Sequence, residues 1–555
     1  MKIFRFLLLL VIVFGCKGTE EKKTIYSFGD QGDGTFINPI LNADYPDSDV
    51  VRHGDKYYMI SSKKHNSPGM IILESYDMVN WRIINHVYDS ISWGKEYNWD
   101  RMAGYKRGVW AGDLAFHEGT WYCYVIDPSH GLFVTTTDDI YGQWTTPTKM
   151  ISQKKVADDP SVFWDYENKE AWLVANIGRS RTKEDKDKYL YKNAIFKMSW
   201  DGLSLEDEGT VFYKGPGAEA SKIYRVNDQW FIFLSEWSMT PDGDKEDRKQ
   251  IALRSKTNSI YGPYDKKVLL EKGNGFERSC SQGSLNQAPD GSWWYFHQLI
   301  QNIDAPFQGR AQCLQPVEWV NGWPIIGEDM DKDGIGEPLR RYKMPNIIAP
   351  EKLKIQTSDD FSSSELGHQW EWNHNPRDSH WSLTERTGWL RLKASTLVPL
   401  SNYYYHKGAS SFWRASNTLS QRIMGTKAGI SSAKFDVSGM TQGQRAGYAR
   451  FAGVSHLIGV KMDAEGNRNL FFMDDKGTEI DGPSIEKAII YFKSTNSGNS
   501  ASFEYSYDNK NFERFGPEFE LVFGRWSGDR LGVFCWNDIE ESGYVDIDWF
   551  VYEYE

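Results

Sequence analysis

Cysteine is scarce in this chain. Five occur in 555 residues, and no two of them form a CxxC pair. That spacing excludes a zinc ribbon and a dense disulfide framework. Cys123 and Cys535 fall in apolar runs and are expected to be buried thiols. Histidine is thin as well: His65, His117 and His297 stand far apart and are expected to be structural. A phosphate-cradling glycine loop and a serine–histidine nucleophile pair are both missing. Positive charge is in deficit, with a formal net charge of -12. Nucleic acid is therefore excluded as a partner, because its phosphates would be repelled. A neutral, hydroxyl-rich partner stays compatible, since aromatic faces pack on sugar C–H surfaces without charge.

Long apolar runs are also lacking, apart from one at the N-terminus. Lys2 and Arg5 precede the apolar stretch Phe6–Phe14, followed by Gly15-Cys16. This describes a secretory leader over residues 1–16, too short to span a membrane permanently. Val13-Phe14-Gly15-Cys16 resembles a lipobox, with bulky Phe14 an imperfect fit; a plain secretory leader is the alternative. A lipidated Cys16 would anchor the protein in a bacterial cell envelope, periplasmic or outer-surface, with the membrane met only through that lipid. Residues 17–34 would form the linker.

What is abundant is aromatic side chain, 15% of the sequence, set among Gly and Asn/Asp turns. Such periodicity favours an all-β chain of short strands. Five segments share a polar turn followed by an aromatic strand: Gly54–Tyr58, Glu118–Tyr122, Asn168–Trp172, Asn227–Phe231 and Asp290–Trp294. Their spacing of roughly 50–63 residues is a little longer than known propeller repeats of about 40–50. Asp77–Trp81, Ile140–Trp144 and Ile260–Tyr264 each follow a hairpin and read as outer strands closing blades. The expectation is a five-bladed β-propeller over residues 35–345.

Counting back from each turn brings acids into register. Asp47 lies eight residues before Asp55, Asp159 nine before Asn168, Glu219 eight before Asn227 and Gln282 eight before Asp290; in the second repeat the offset falls on Trp110. In a propeller this position opens the innermost strand, beside the central channel. Converging carboxylates repel and lose hydration, so a purely structural role would favour small or apolar residues there. Three acids around one polar cavity with aromatic walls suit glycoside hydrolysis, where one carboxylate polarises water and another donates a proton to the leaving oxygen.

Tyr45-Pro46-Asp47, Val109-Trp110-Ala111, Asp159-Pro160-Ser161, Glu219–Tyr224 and Gly309-Arg310 resemble, in this order, the motifs of glycoside hydrolase family 43. The resemblance implies an inverting mechanism with Asp47 as general base, Asp159 as pKa modulator and orienter, and Glu219 as general acid. It places Arg310 against the sugar, with Trp110 and Gln282 as further substrate-binding residues. Inversion requires the base and acid to stand about 6.5–9.5 Å apart. There are departures. Ser48 stands where many members have a second proline, and the polar loop Lys63–Gly69 replaces an aromatic wall of xylosidase-like members. Ser281 replaces a histidine that often helps hold a central ion. No cofactor is required by this set; calcium is compatible with the channel but unsupported by it. Asp329–Gly334 matches only the first half of an EF-hand loop.

Beyond Pro350 the propeller hairpins stop. Residues 358–555 alternate as a β-sandwich, and Asp359-Asp360-Phe361 with Trp370–Pro376 resembles the concanavalin-like C-terminal domain of xylosidase-type members. Such a domain can help close the active site or can only stabilise. The function implied is an exo-acting glycosidase releasing a terminal pentose, α-L-arabinofuranose or β-D-xylose, from plant cell-wall polysaccharide or its oligosaccharides. A noncatalytic glycan-binding surface lipoprotein and an in-class galactanase or galactofuranosidase are the alternatives.

Overall fold

The computed structural model describes residues 28–152, 158–179, 190–241, 245–271, 280–299, 306–400, 410–425, 428–524 and 526–554. The expected leader, Cys16 and most of the expected linker lie outside the described residues. The protein is all-β, a five-bladed propeller followed by a concanavalin-like sandwich; among the described residues the helical segments are short 3-10 turns.

Each blade is a four-stranded antiparallel meander. Blade I comprises Asp49–His53, Lys56–Ser61, Gly69–Ser75 and Arg82–Tyr88; blade II, Gly112–His117, Thr120–Asp127, Gly131–Thr137 and Thr148–Ser152. Blade III comprises Asp158–Asp165, Glu170–Arg179, Leu190–Met198 and Thr210–Pro216; blade IV, Glu219–Val226, Gln229–Met239, Lys245–Ser255 and Tyr264–Leu270. Blade V comprises Leu285–Gln287, Trp293–Gln298, Gln312–Val320 and Trp323–Ile326. All five polar turns join an inner strand to its second strand. The segments from Asp77, Ile140 and Ile260, expected to be outer strands, are instead the turns that lead into them. Asp77 Oδ1 accepts the N–H groups of Val79 and Asn80 at 3.0 and 2.7 Å, and Asp139 Oδ1 accepts that of Tyr141 at 3.0 Å. A side chain that captures the backbone this way holds a turn, because the same groups are no longer offered to a neighbouring strand.

A ring of hydrogen bonds around the axis ties blade to blade. Leu114 N–H donates to Asp49 Oδ2 (2.9 Å), Val162 N–H to Asp113 Oδ2 (3.0 Å) and Ile223 N–H to Ser161 Oγ (3.4 Å). Leu285 N–H donates to Tyr224 Oη (2.9 Å), and Val50 N–H to Ser284 Oγ (3.0 Å), which returns the chain to blade I. Every inner strand thus donates one backbone N–H to the blade before it. A buried N–H left without a partner would cost about 1–3 kcal/mol, so each blade must present a polar group to the axis. Thr35–Ile37 pairs with Arg341–Lys343 and brings the two ends of the propeller together.

The sandwich packs two antiparallel-rich sheets. One is built on Leu419–Arg422, Arg530–Asn537, Gln444–Phe451, Ser455–Met462 and Arg468–Met473. The other is built on Leu390–Lys393, Tyr544–Tyr554, Ala428–Asp436, Ile489–Ser497 and Ser500–Ser506. Its apolar core is continuous with blades I and V, through Leu41, Tyr45 and Phe296 on one side and Trp372, Leu419 and Ile423 on the other.

The loop Lys63–Gly69, expected to face sugar, mostly meets the sandwich. Ser67 and Trp372 exchange both backbone hydrogen bonds (3.1 and 2.6 Å), His65 Nε2 lies 3.1 Å from Asn373 Oδ1, and Ser67 Oγ donates to Asn375 Oδ1 at 2.6 Å. The polar composition of this loop is therefore explained by docking; Lys64 alone of its side chains lines the functional cavity. At the centre of the junction Glu371 receives Lys63 (3.0 Å), Arg422 (3.1 Å) and Arg530 (2.6 Å), all buried. Burial alone would raise the Glu371 carboxyl, but Arg530, Lys63 and Arg422 hold it well below the usual carboxylate range. Replacing Glu371 with Ala strands three buried cations. The variant should lose about 3–5 kcal/mol of stability in denaturant unfolding; a change below about 1 kcal/mol would show that the junction does not depend on this cluster.

Candidate active site

The axial ring supplies a ruler for the residues above it. Three positions before each donating residue stand Asp47, Ala111, Asp159, Ala220 and Gln282; four before stand Pro46, Trp110, Asp158, Glu219 and Ser281. Asp47, Asp159, Ala220 and Gln282 all have positive φ, between 50° and 61°. In blades III and IV the same kink registers as a bulge, between Asp158 and Ser161 and between Glu219 and Lys222. A bulge re-aims side chains at a strand end, here toward the axis. Glu219 and Trp110 thus sit one residue earlier than the turn count implied. The discrepancy arises because the turns of blades I, II and IV all have two residues, and the count starts at the second of them in blade I, Asp55, but at the first in blades II and IV, Glu118 and Asn227.

All six sequence-predicted site residues within the propeller, Asp47, Trp110, Asp159, Glu219, Gln282 and Arg310, line one cavity of about 490 Å³. Asp47 Oδ1 accepts from Arg310 Nη1 at 2.5 Å, and its Oδ2 accepts from Ser62 Oγ at 2.6 Å. Gly309 makes this possible: its φ is +91°, and a Cβ there would stand 2.3 Å from Asp44 Oδ1, which accepts the Arg310 N–H at 3.0 Å. Asp159 Oδ2 accepts Ala220 N–H at 2.7 Å, and its Oδ1 accepts from Gln282 Nε2 at 3.3 Å. Gln298 Nε2 in turn donates to Gln282 Oε1 at 2.5 Å, while Gln298 Oε1 accepts Asp47 N–H at 2.9 Å. Two amides therefore link the backbone of Asp47 to the carboxylate of Asp159 across the cavity floor. Glu219 Oε1 accepts from Arg248 Nη2, and that guanidinium lies 4.2 Å over the Trp237 ring.

Sequence reasoning missed Arg248, Gln298, Asp158 and Trp526. Asp158 was visible as half of an acidic doublet; it lines the cavity, and its Oδ1 accepts the Asp159 N–H at 3.0 Å. Trp526 comes from the sandwich. Its carbonyl accepts from Lys64 Nζ, the residue lines the cavity, and Asp529 N–H bonds Phe307 O at 2.7 Å just ahead of Arg310. The sandwich therefore contributes directly to the wall of the site.

Asp47 and Glu219 each hold an arginine, whereas Asp159 has amide partners. Burial, then the charges of Glu219 and Asp47, push the Asp159 carboxyl up to about 7, and burial with Asp159 as neighbour pushes Asp158 well above the usual carboxylate range. The cluster thus retains a proton near neutral pH. Among the described residues the position of the family's channel histidine is taken by Ser281, whose Oγ pairs with Ser235 Oγ at 2.8 Å, and the ammonium of Lys222 lies 2.7 Å from Asp49 Oδ1 on the axis. The Asp329, Asp331 and Asp333 carboxylates converge on the surface, where Asp329 Oδ2 accepts the Gly334 N–H at 2.9 Å as an ordinary turn does.

The sequence model of glycosyl hydrolases family 43 matches residues 36–324, and that of the β-xylosidase C-terminal concanavalin A-like domain matches residues 358–553. The chain belongs to glycosyl hydrolase family 43. A β-xylosidase of Formosa agariphila is 56% identical over 550 residues, 95% of this chain and 92% of that one. A non-reducing end α-L-arabinofuranosidase of Bacteroides ovatus is 28% identical over 65% of this chain and 66% of its own length. Among solved structures, a bifunctional GH43-CE of Bacteroides eggerthii superposes with a TM-score of 0.76 at 28% identity, covering 93% of this chain and 63% of that one. This family 43 glycoside hydrolase reads Ser48 beside its first acid because the hydroxyl donates to buried Gln312 Oε1 at 2.5 Å, a bond that proline could not make.

The raised Asp159 carboxyl has a consequence for stability. Its folded-state value lies above the unfolded value of 3.8, so the folded protein binds the proton more tightly and loses stability as pH rises from about 4 to about 7. Asp159→Asn keeps an acceptor for Ala220 and removes the ionisation. In thermal unfolding it should be more stable than wild type at pH 8, by about 1–2 kcal/mol, with the gap closing toward pH 4. A variant less stable at pH 8 than at pH 4, relative to wild type, would contradict this electrostatic picture.

Proposed function

We propose that this protein is an exo-acting, inverting β-D-xylosidase, with Asp47 as general base, Glu219 as general acid and Asp159 orienting and electrostatically tuning the pair. The observation that carries this reading is the meeting of Asp47–Arg310 from blades I and V with Glu219–Arg248 from blade IV on one closed-bottomed cavity. Asp47, held by Ser62 and Arg310, has the fixed orientation a base needs to take a proton from water. The charges of Glu219 and Asp47 around Asp159 disfavour loss of a proton from the cluster, which supports proton donation from within it. The 56% identity to a β-xylosidase over nearly the whole chain favours terminal xylose on xylan-type oligosaccharides. Release of α-L-arabinofuranose is the second reading, supported by the more distant arabinofuranosidase relative.

Aryl and oligosaccharide substrates separate the two carboxylate roles. Glu219→Gln should lose about 10²–10⁴-fold in kcat on xylobiose, yet far less on dinitrophenyl β-D-xyloside, whose phenolate departs without a proton. Asp47→Asn should lose a comparable factor on both. Proton NMR of the wild-type reaction should show α-xylose as the first-formed anomer; first-formed β-xylose, or an Asp47→Asn enzyme of undiminished activity, would sink the assignment.

A further inference from the structure

Blade IV breaks the pattern of the axial ring. Where blades I, II, III and V place Asp49, Asp113, Ser161 and Ser284 directly before the donating residue, blade IV places Lys222 before Ile223. An ammonium cannot accept a hydrogen bond. Blade IV compensates with Tyr224, whose hydroxyl takes the Leu285 N–H. Lys222 instead reaches across the axis, with Nζ 2.7 Å from Asp49 Oδ1 and 2.8 Å from Asp113 Oδ1. All three side chains are at least nine-tenths buried. The remaining carboxylate valences are also filled, by Ser284 Oγ and Leu114 N–H on Asp49 and by Val162 N–H on Asp113.

We propose that Lys222 is the resident cation of the propeller axis and a positioning residue for the three acids above it, filling with a side chain the place a metal ion could otherwise take between Asp49 and Asp113. Two carboxylates facing one buried point require a positive charge between them. Lys222 supplies it, and in doing so joins the strands that carry the site. Asp49 is two residues past Asp47, Lys222 is three past Glu219, and Asp113 holds Val162, three past Asp159. One ammonium therefore fixes the height of all three inner strands beneath the cavity. The same charge acts upward on Asp159, where it opposes the rise caused by burial, Glu219 and Asp47.

The inference rests on the roles given to Asp47, Asp159 and Glu219, and its test can fail separately from that reading. The probe is the full chain with Lys222→Met and with the double change Lys222→Met/Asp113→Asn, assayed on aryl β-D-xyloside with and without EDTA. Wild-type kcat should be unchanged by EDTA. Lys222→Met should lower kcat by about 10–100-fold with KM within about threefold, as expected for displaced catalytic groups rather than lost substrate contacts. The double variant, with one of the two stranded negative charges removed and the net charge of the cluster returned to that of wild type, should recover both thermal stability and at least about a third of the lost kcat on a logarithmic scale. Should Lys222→Met fail to fold, the double variant should still fold, and its failure to do so would overturn the charge-balance argument. EDTA-sensitive wild-type kcat, or a Lys222→Met enzyme with lowered melting temperature and full kcat, would overturn the proposal while leaving the assignment of the acids intact. Undiminished Asp47→Asn activity would instead remove the functional reading.

Discussion

Five backbone N–H groups at the centre of the propeller cannot be left without acceptors, and that requirement shapes the rest of the molecule. In each blade the inner strand answers with a polar side chain aimed at its neighbour: Asp49, Asp113, Ser161, Tyr224 and Ser284. No strand is shared between the first and last blades, so this ring, with the pairing of Thr35–Ile37 and Arg341–Lys343, is what turns a row of meanders into a closed body. Choosing aspartate twice brings two negative charges together, and choosing lysine once at an equivalent position places a shared positive charge between them without leaving the chain. The geometry above follows. With the ring fixed, the residues three and four positions earlier are delivered to the axis at a set height, and the bulges of blades III and IV turn them inward.

The blades were legible in the sequence because their signal is local. Gly54, Glu118, Gly119 and Gly291 have positive φ, in turns whose chemistry is written in adjacent residues. The same locality misled the reading of Asp77–Trp81, where an aspartate-initiated turn followed by tryptophan resembles the start of a strand. Counting from turns brought Asp47 and Asp159 to the right level but set Glu219 and Trp110 level with them, since the polar residue that marks a turn is its second in blade I and its first in blades II and IV, whereas ring register does not vary. Arg248 and Gln298 were invisible for another reason. They come from the third strand of blade IV and the second strand of blade V, and meet Glu219 and Gln282 only through sheet pairing and blade packing. A residue whose role exists only across strands leaves no mark in its own neighbourhood of sequence.

The sandwich domain does two things with one surface. Its Trp372-Asn373-His374-Asn375 segment threads among the blade I and II loops: Asn373 Nδ2 donates to Tyr105 Oη (2.8 Å), Gly104 N–H donates to His374 Nε2 (3.1 Å), and Asn375 N–H bonds Tyr97 O (2.7 Å). The same segment takes the polar groups of His65 and Ser67, which explains why Lys63–Gly69 is polar even though it borders a sugar-sized cavity. Further along the chain, Gly528 lets the sandwich backbone approach Gln308, where a Cβ would lie 2.2 Å from the Gln308 carbonyl. That close approach delivers Trp526 to the mouth and seats Asp529 against Phe307, so the position of Arg310 and the shape of the entrance depend on the same docking.

The floor of the cavity decides what kind of substrate end can enter. Beneath Asp47 and Asp159 lies the chain of amides from Gln298 through Gln282. Under that floor stand Lys222, Asp49 and Asp113, all buried, with their hydrogen-bonding capacity spent on one another and on the ring. A polysaccharide cannot pass through an axis so filled, because threading would break buried ion pairs with nothing to replace them. The opposite opening of the channel, walled by Phe163, Trp164 and Tyr224, is thereby cut off from the acids. On the function proposed above, a chain entering from the Trp526 side stops with its terminal ring against Arg310 and the carboxylates. The preference for chain ends is in this sense a by-product of how the propeller closes: the groups that satisfy the axial backbone also plug the passage that an internal cleavage mode along the axis would need.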